Sequence, residues 1–258
     1  MKVIKNFNKI SEGVRKCNNR YVFDYVEDKY DDLVYLKDPD IYEDKIFNNV
    51  YWFGYRFTDE ASRSYRSDFI NYIKGLLDTK PTEKELIRFI DKPLIKLHEK
   101  ENITSINCII HPVSERSSLV QKIVSEIYDV ASRSAEKTTI ELVKNLPKNI
   151  TFDWKRFNDE NAYDKQQQMF INDMINKIHS LDYFSLAKNV KPKYRKYIQN
   201  FLMFKTEEDK ELYKSIQDGK ILVVDDVNTS GSTLYEIVRI LNELNSNCKI
   251  YIFTLIRK

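Results

Sequence analysis

The apolar positions of this chain change period several times, and each change marks an element. Ile221, Leu222, Val223 and Val224 are consecutive apolar residues and read as a strand buried on both faces, as in a parallel sheet. Leu234, Ile237, Val238, Leu241 and Leu244 follow at helical spacing, and 250–256 reads as a closing strand. Upstream, Ile106–Ile110 is a second short apolar run, His111–Ser117 a polar loop, and Leu119, Ile123, Ile127 and Val130 another helical stripe. Strand, polar loop and helix in that order form an α/β unit.

Nearer the N-terminus, Val50–Phe57 predicts a strand or a tight turn between strands. Residues 59–77 predict a helix with Phe69, Tyr72, Ile73 and Leu76 on one face. Thr82 followed by Glu85 is a capping box for a second helix to about Lys100. Ile140–Val143 adds a strand. Residues 1–50, rich in Tyr and Asp, read as short strands and loops. The polar interval from about 144 to 205 holds one helix near 166–179 and is too long for a plain connector, so it reads as an inserted hood or active-site loop. The expected fold class is α/β: a parallel sheet flanked by helices, with an N-terminal or inserted hood. The expected division is an N-terminal region 1–100 and a core 101–258 with an insertion at about 145–205. No internal repeat is visible.

Composition narrows this picture modestly. The 258 residues include only 5 Gly and 6 Pro, which leaves little room for linkers and makes a glycine among hydroxyl residues worth attention. A net charge of +3 does not by itself indicate nucleic acid. The charges are unevenly spread, however, with an acidic stretch from Asp24 to Asp44 and a basic one containing Lys188, Lys191, Lys193, Arg195, Lys196 and Lys205. Both suit a solvated face, and the basic one would also suit a phosphate contact. Cys17, Cys108 and Cys248 are too scattered for a disulfide framework or a zinc site, and the three histidines lack metal-ligand spacing. The first residues are too polar for a signal peptide, and no apolar run approaches membrane-spanning length. The expectation is a soluble cytoplasmic protein with no membrane partner.

Candidate chemistry concentrates after the strand at 221–224. Asp225 and Asp226 fall at its carboxyl end, where open α/β sheets place ligands. Val227, Asn228, Thr229, Ser230, Gly231, Ser232 and Thr233 then lead into a helix. The free N–H groups and dipole of a helix N-terminus suit an anion, the four hydroxyls add donors, and Gly231 permits a tight turn. Two carboxylates ahead of a phosphate cradle would be repulsive if phosphate were the whole ligand. They make sense if the ligand also offers hydroxyls, as a ribose does, or carries Mg²⁺. A plain helix cap is the alternative, but it needs one such residue rather than two acids, four hydroxyls and a glycine. A response-regulator receiver domain also opens on an apolar strand ending in two acids. It needs four further strand–helix units, whereas one helix and one strand follow here. A Walker loop is excluded by the missing Gly-Lys-Ser/Thr.

Val223–Thr233 resembles the 5-phosphoribosyl-1-pyrophosphate (PRPP) signature of type I phosphoribosyltransferases, in which two acids precede T-[ST]-G-x-T. The resemblance implies a Rossmann-like core in which Asp225 and Asp226 hold the ribose hydroxyls, directly or through water with Mg²⁺, and residues 227–233 hold the 5′-phosphate. The segment 109–117 is similar to the family's pyrophosphate loop, which would assign Ser114, Glu115 and Arg116 to pyrophosphate. A mobile basic loop is implied between these elements, with Lys191, Lys193 and Arg195 as candidates and Arg195 as a catalytic contact. The order Arg195…Asn200…Phe204, and Tyr51–Tyr55, resemble the ComF-like branch, although that branch's cysteine-rich zinc module is missing and the interval from Val143 to Lys205 is longer. The implied function is phosphoribosyl transfer to a nitrogenous base or similar acceptor with release of pyrophosphate. The alternative is a non-catalytic PRPP- or nucleotide-binding protein serving regulation or DNA uptake. The resemblance allows a homodimer and leaves the acceptor open. With one strand after the signature helix, a hood is expected from residues 1–100 or from the insertion. Tyr51, Trp52, Phe53 and Tyr55 are read either as core or as a stacking surface for a base.

Overall fold

A computed structural model describes residues 13–17, 20–24, 42–46, 49–57, 62–100, 103–114, 117–130, 138–162 and 164–257. In chain order the first half contains β1 (Gly13–Cys17), β2 (Arg20–Asp24), β3 (Tyr42–Ile46), β4 (Asn49–Arg56), α1 (Arg63–Ile73), α2 (Glu83–Lys100), β5 (Cys108–Pro112), α3 (Leu119–Val130) and β6 (Thr138–Lys144). Then come β7 (Thr151–Phe152), α4 (Trp154–Glu160), α5 (Lys165–His179), α6 (Leu186–Asn189), β8 (Ile198–Gln199), β9 (Leu202–Phe204) and α7 (Glu207–Ser215). The chain closes with β10 (Lys220–Asn228), α8 (Ser232–Leu244) and β11 (Lys249–Arg257).

Seven strands form one sheet in the order β3-β4-β11-β10-β5-β6-β9. The five inner strands are parallel, and the edge strands β3 and β9 run antiparallel to their neighbours. Because β4 pairs with β11, this sheet draws strands from both sides of residue 100. Side-chain alternation splits the core in two. Leu222 and Val224 face a cluster containing Phe69 of α1, Leu94 of α2 and Ile123 of α3. Ile221 and Val223 face a second cluster with Ile171 of α5, Tyr213 of α7 and Ile237 of α8. The result is a three-layer α/β arrangement, as the alternating strand and helix patterns predict.

The connections create a crevice. From β5 the chain crosses through α3 to β6 on one side, and from β10 it crosses through α8 to β11 on the other. β5 and β10 are themselves neighbours, pairing Ile221 with Cys108 and Val223 with Ile110. The carboxyl ends of these two strands therefore face a topological switch point, where successive loops part and leave room for a ligand.

Several elements differ from the periodicity in instructive ways. The first helix ends at Ile73 rather than 77 because Gly75 adopts φ 68°. Its N–H bonds the carbonyl of Tyr72, and that of Leu76 bonds Asn71, which makes a Schellman turn and leaves Leu76 exposed. β5 continues through His111 and Pro112, paired with Glu141 and Leu142, so the predicted loop begins two residues later. In α2, Pro93 has no N–H to offer Phe89 four residues back. The Tyr55 hydroxyl donates to that carbonyl instead, at 2.8 Å, and Gly54 leaves the space beside the proline ring. Tyr51, Trp52, Phe53 and Tyr55 are all buried in the two clusters, so they are core rather than a stacking surface. Within 1–50, β1–β2 and β3–β4 are antiparallel hairpin pairs, and most of the acidic stretch lies outside the described residues. Among the described residues no helix is long and apolar enough to cross a membrane.

Candidate functional site

The apolar run of β10 carries Asp225 and Asp226 to its carboxyl end, where neighbouring residues of a strand point to opposite faces. Both nevertheless line one cleft of about 400 Å³ at the switch point. Pro112, Val113 and Ser114 beyond β5 form a second wall, and Thr229 and Thr233 a third. The inserted segment closes the cleft with Tyr183, Phe184 and Lys188, and β6 adds Lys144.

The turn between β10 and α8 is built for backbone exposure. Gly231 stands at the N-cap with φ 72°, a left-handed conformation that costs glycine nothing. No side chain caps α8; the hydroxyls of Ser230 and Ser232 lie 3.0 Å apart and pair with each other. This disposes of the plain-cap reading, because the donors of the first helical turn are left without a side-chain partner. Val227 and Asn228 are buried under the turn. Val227 also lines the cleft.

The acid pair is electrostatically uneven. Burial pushes the Asp225 carboxyl well above the usual aspartate range, and the charge of Asp226 adds to that shift. The Lys74 ammonium and the Asp226 backbone N–H, 2.9 Å from Asp225 Oδ1, oppose it. Asp226 is buried and ion-paired, its Oδ2 lying 2.7 Å from Lys74 Nζ. Lys74 follows directly after α1 and also lines the cleft. Nothing near Asp226 in sequence pointed to it; the nearest signal was Gly75, whose C-terminal stop sets where Lys74 lies.

The expected basic loop is mostly engaged elsewhere. Arg195 donates through Nε to the Val190 carbonyl at 3.0 Å and through Nη2 to Ala187 at 2.8 Å, outside the cleft lining. Lys191 lies over the Phe170 ring and Lys193 over Tyr194, whereas Lys196 pairs with Glu160 and Lys205 with Glu141. Only Lys188 of the six lines the cleft. Lys144, which received no role from the sequence, does line it, with its ammonium bonded to the Tyr183 hydroxyl. Ser114 is in place, and Glu115 and Arg116 lie outside the described residues.

The insertion is fastened to α8, the helix behind the turn. Asn200 accepts from Arg239 at 2.8 Å, and Arg239 also forms a two-pronged pair with the fully buried Glu236. The Arg156 guanidinium sits 4.3 Å from the centre of the Tyr235 ring. Phe204 belongs to the core.

No family model matches the sequence, and no curated protein matches it. Among solved structures, the chain is similar to a hypoxanthine phosphoribosyltransferase from Staphylococcus aureus at 10% identity and a TM-score of 0.36. That match covers 67% of this chain and 65% of the other, just under two thirds of its length. A purine phosphoribosyltransferase from Pyrococcus horikoshii is similar at 13% identity over 69% of this chain and 86% of that one, with a TM-score of 0.34. An adenine phosphoribosyltransferase from Leishmania tarentolae is similar at 8% identity over 84% and 95% of the two chains, with a TM-score of 0.36. Similarity at this level leaves the site to be read from its own geometry.

Proposed function

We propose that this chain binds PRPP together with Mg²⁺ and transfers its phosphoribosyl group to a nitrogenous base or similar acceptor, releasing pyrophosphate. The observation that carries the reading is the convergence of the acid pair, the uncapped start of α8 and the loop after β5 on one cleft at the switch point. Carboxylates accept from hydroxyls and hold cations, whereas helix N-termini take phosphate; a ligand carrying both a diol and phosphates uses both. In this reading Asp225 and Asp226 accept the ribose hydroxyls, and the amides and hydroxyls of 229–233 take the 5′-phosphate. Ser114, with Glu115 and Arg116, attends the pyrophosphate. The segment around Tyr183–Lys188 acts as the hood over the acceptor.

The donor set suits Mg²⁺. It is a hard cation that is bound through one or two carboxylates and completed by substrate phosphates and water. Asp225 and Asp226 supply such oxygens, and among the described residues no group of three or more His, Cys, Asp or Glu forms a self-sufficient cage. When bound, the cation would neutralise charge on the departing pyrophosphate. The chain's own contribution is positioning of the diol and phosphate and exclusion of water by the hood.

A second reading, PRPP binding without transfer, is favoured by one observation. Lys191, Lys193 and Arg195 are turned to partners outside the cleft, where they give no help to a leaving group. Calorimetric titration with PRPP and Mg²⁺, followed by pyrophosphate release across a panel of bases, separates the readings. Transfer predicts both binding and base-dependent release. Binding without release for any base supports the second reading. Absence of PRPP binding, with Asp225→Asn changing nothing, refutes both.

A further inference from the structure

Asp226 is a buried acid whose immediate partner is supplied by a helix from the other end of the sequence. Its side chain is 7% exposed and that of Lys74 is 24% exposed, with 2.7 Å between Nζ and Oδ2. The position of the ammonium is set by the backbone. Lys74 is the C-cap of α1, its N–H bonded to the Ile70 carbonyl at 3.1 Å, and Gly75 at φ 68° ends the helix there. The helix end itself is packed through Phe69, Tyr72 and Ile73. The charge is therefore delivered from a fixed anchor by a flexible four-carbon stem.

We propose that Lys74 is the built-in counter-ion of the acid pair and keeps free divalent cations off Asp226 until a ligand arrives; this rests on the reading of the pair as part of the PRPP site. With both carboxyls ionised, the two acids and the ammonium together carry one net negative charge instead of two. A divalent ion must approach a carboxylate oxygen to roughly 2.0–2.1 Å, and the Lys74 ammonium already on Oδ2 both fills that direction and repels the newcomer. Ribose hydroxyls meet no such obstacle, because they donate to the carboxylate oxygens that Lys74 leaves open. An arriving phosphate offers the ammonium a second anionic partner, which releases Asp226 to the cation that accompanies the ligand.

Mn²⁺, titrated in the absence of PRPP and followed by electron paramagnetic resonance, tests this without any turnover. The wild-type protein, Lys74→Met, Lys74→Gln, Lys74→Arg and the double variant Lys74→Met/Asp226→Asn are compared. Removing the ammonium in K74M is expected to tighten Mn²⁺ binding tenfold or more, and K74Q, which keeps a polar head, gives the same gain if K74M folds poorly. K74R retains the charge and stays near wild type, and the double variant loses the gain. Equal Mn²⁺ affinity in wild type, K74M and K74Q overturns the proposal, as does a gain that survives Asp226→Asn. Calorimetry with PRPP on the wild-type protein reads the underlying site separately. A Mn²⁺ gain with no PRPP binding refutes the functional reading, whereas PRPP binding without the gain refutes only the role of Lys74.

Discussion

The hydroxyl of Tyr55 does one definable job, and its energy is measurable. Pro93 lies inside α2 and removes the N–H that would have bonded Phe89, whose residue is buried at 4% exposure. Tyr55 replaces that donor at 2.8 Å, while its ring stacks on Phe89 with centroids 4.0 Å apart. Tyr55→Phe keeps the stacking and removes the donor. It removes a hydroxyl donor from a buried carbonyl, a cost of about 1–3 kcal/mol. Pro93→Ala restores a backbone N–H at the position that serves Phe89. In that background the same Tyr55→Phe change is expected to cost about 0.5 kcal/mol or less, because the restored N–H serves the carbonyl, giving a coupling of about 0.5 kcal/mol or more between the two sites. Urea unfolding of the four proteins, with slopes checked for constancy, reads both numbers. An equal cost of Tyr55→Phe in the two backgrounds refutes the assignment of the hydroxyl to the proline's missing bond.

Two further predictions concern the site. Burial first, and the Asp226 charge second, raise the Asp225 pKa, so wild-type folding loses stability as pH climbs from the ordinary aspartate range towards the raised folded-state value. Asp225→Asn has no such loss; its stability relative to wild type should grow across that interval and then level off, while PRPP binding disappears. Parallel pH–stability curves for the two proteins refute it. Arg195→Ala should speed hydrogen exchange of the amides of Asn189 and Val190, which close the turn that Arg195 ties through Ala187 and Val190. Unchanged exchange there shows that the guanidinium does not hold this wall.

The elements legible in the sequence were those whose signal is local. The run Ile221–Val224 had to be an inner strand, because four successive apolar side chains can be buried only if both faces are covered, and β10 has helices on both. The turn at 228–233 was legible for a similar reason, since a glycine among hydroxyls ahead of an apolar helical stripe fixes its own conformation. Periodicity did less well where a backbone feature interrupts it. Leu76 continues the apolar spacing of α1, but Gly75 turns the chain away before Leu76 can join that face. The basic stretch failed differently. Its positive charge is plain in the sequence, yet partners of its cations include Phe170, Glu160 and Glu141, whose approach depends on how the insertion folds.

The residue with the most direct hold on the acid pair was the least legible. Lys74 is one of 42 Lys and Arg residues and lies more than half the chain away from Asp226. Only the three-dimensional arrangement brings α1 to the carboxyl end of β10. Once it does so, the pairing follows from charge: a buried carboxylate beside a second acid needs a cation, and burying it unpaired is costly. The strand pattern specifies that two acids emerge together, so it also specifies that a positive charge must come from somewhere. It does not say whether a side chain or a ligand-borne ion supplies it. In the structure the Lys74 side chain does, and the affinity of the acid pair for Mn²⁺ with and without Lys74 measures how far that choice shapes the site.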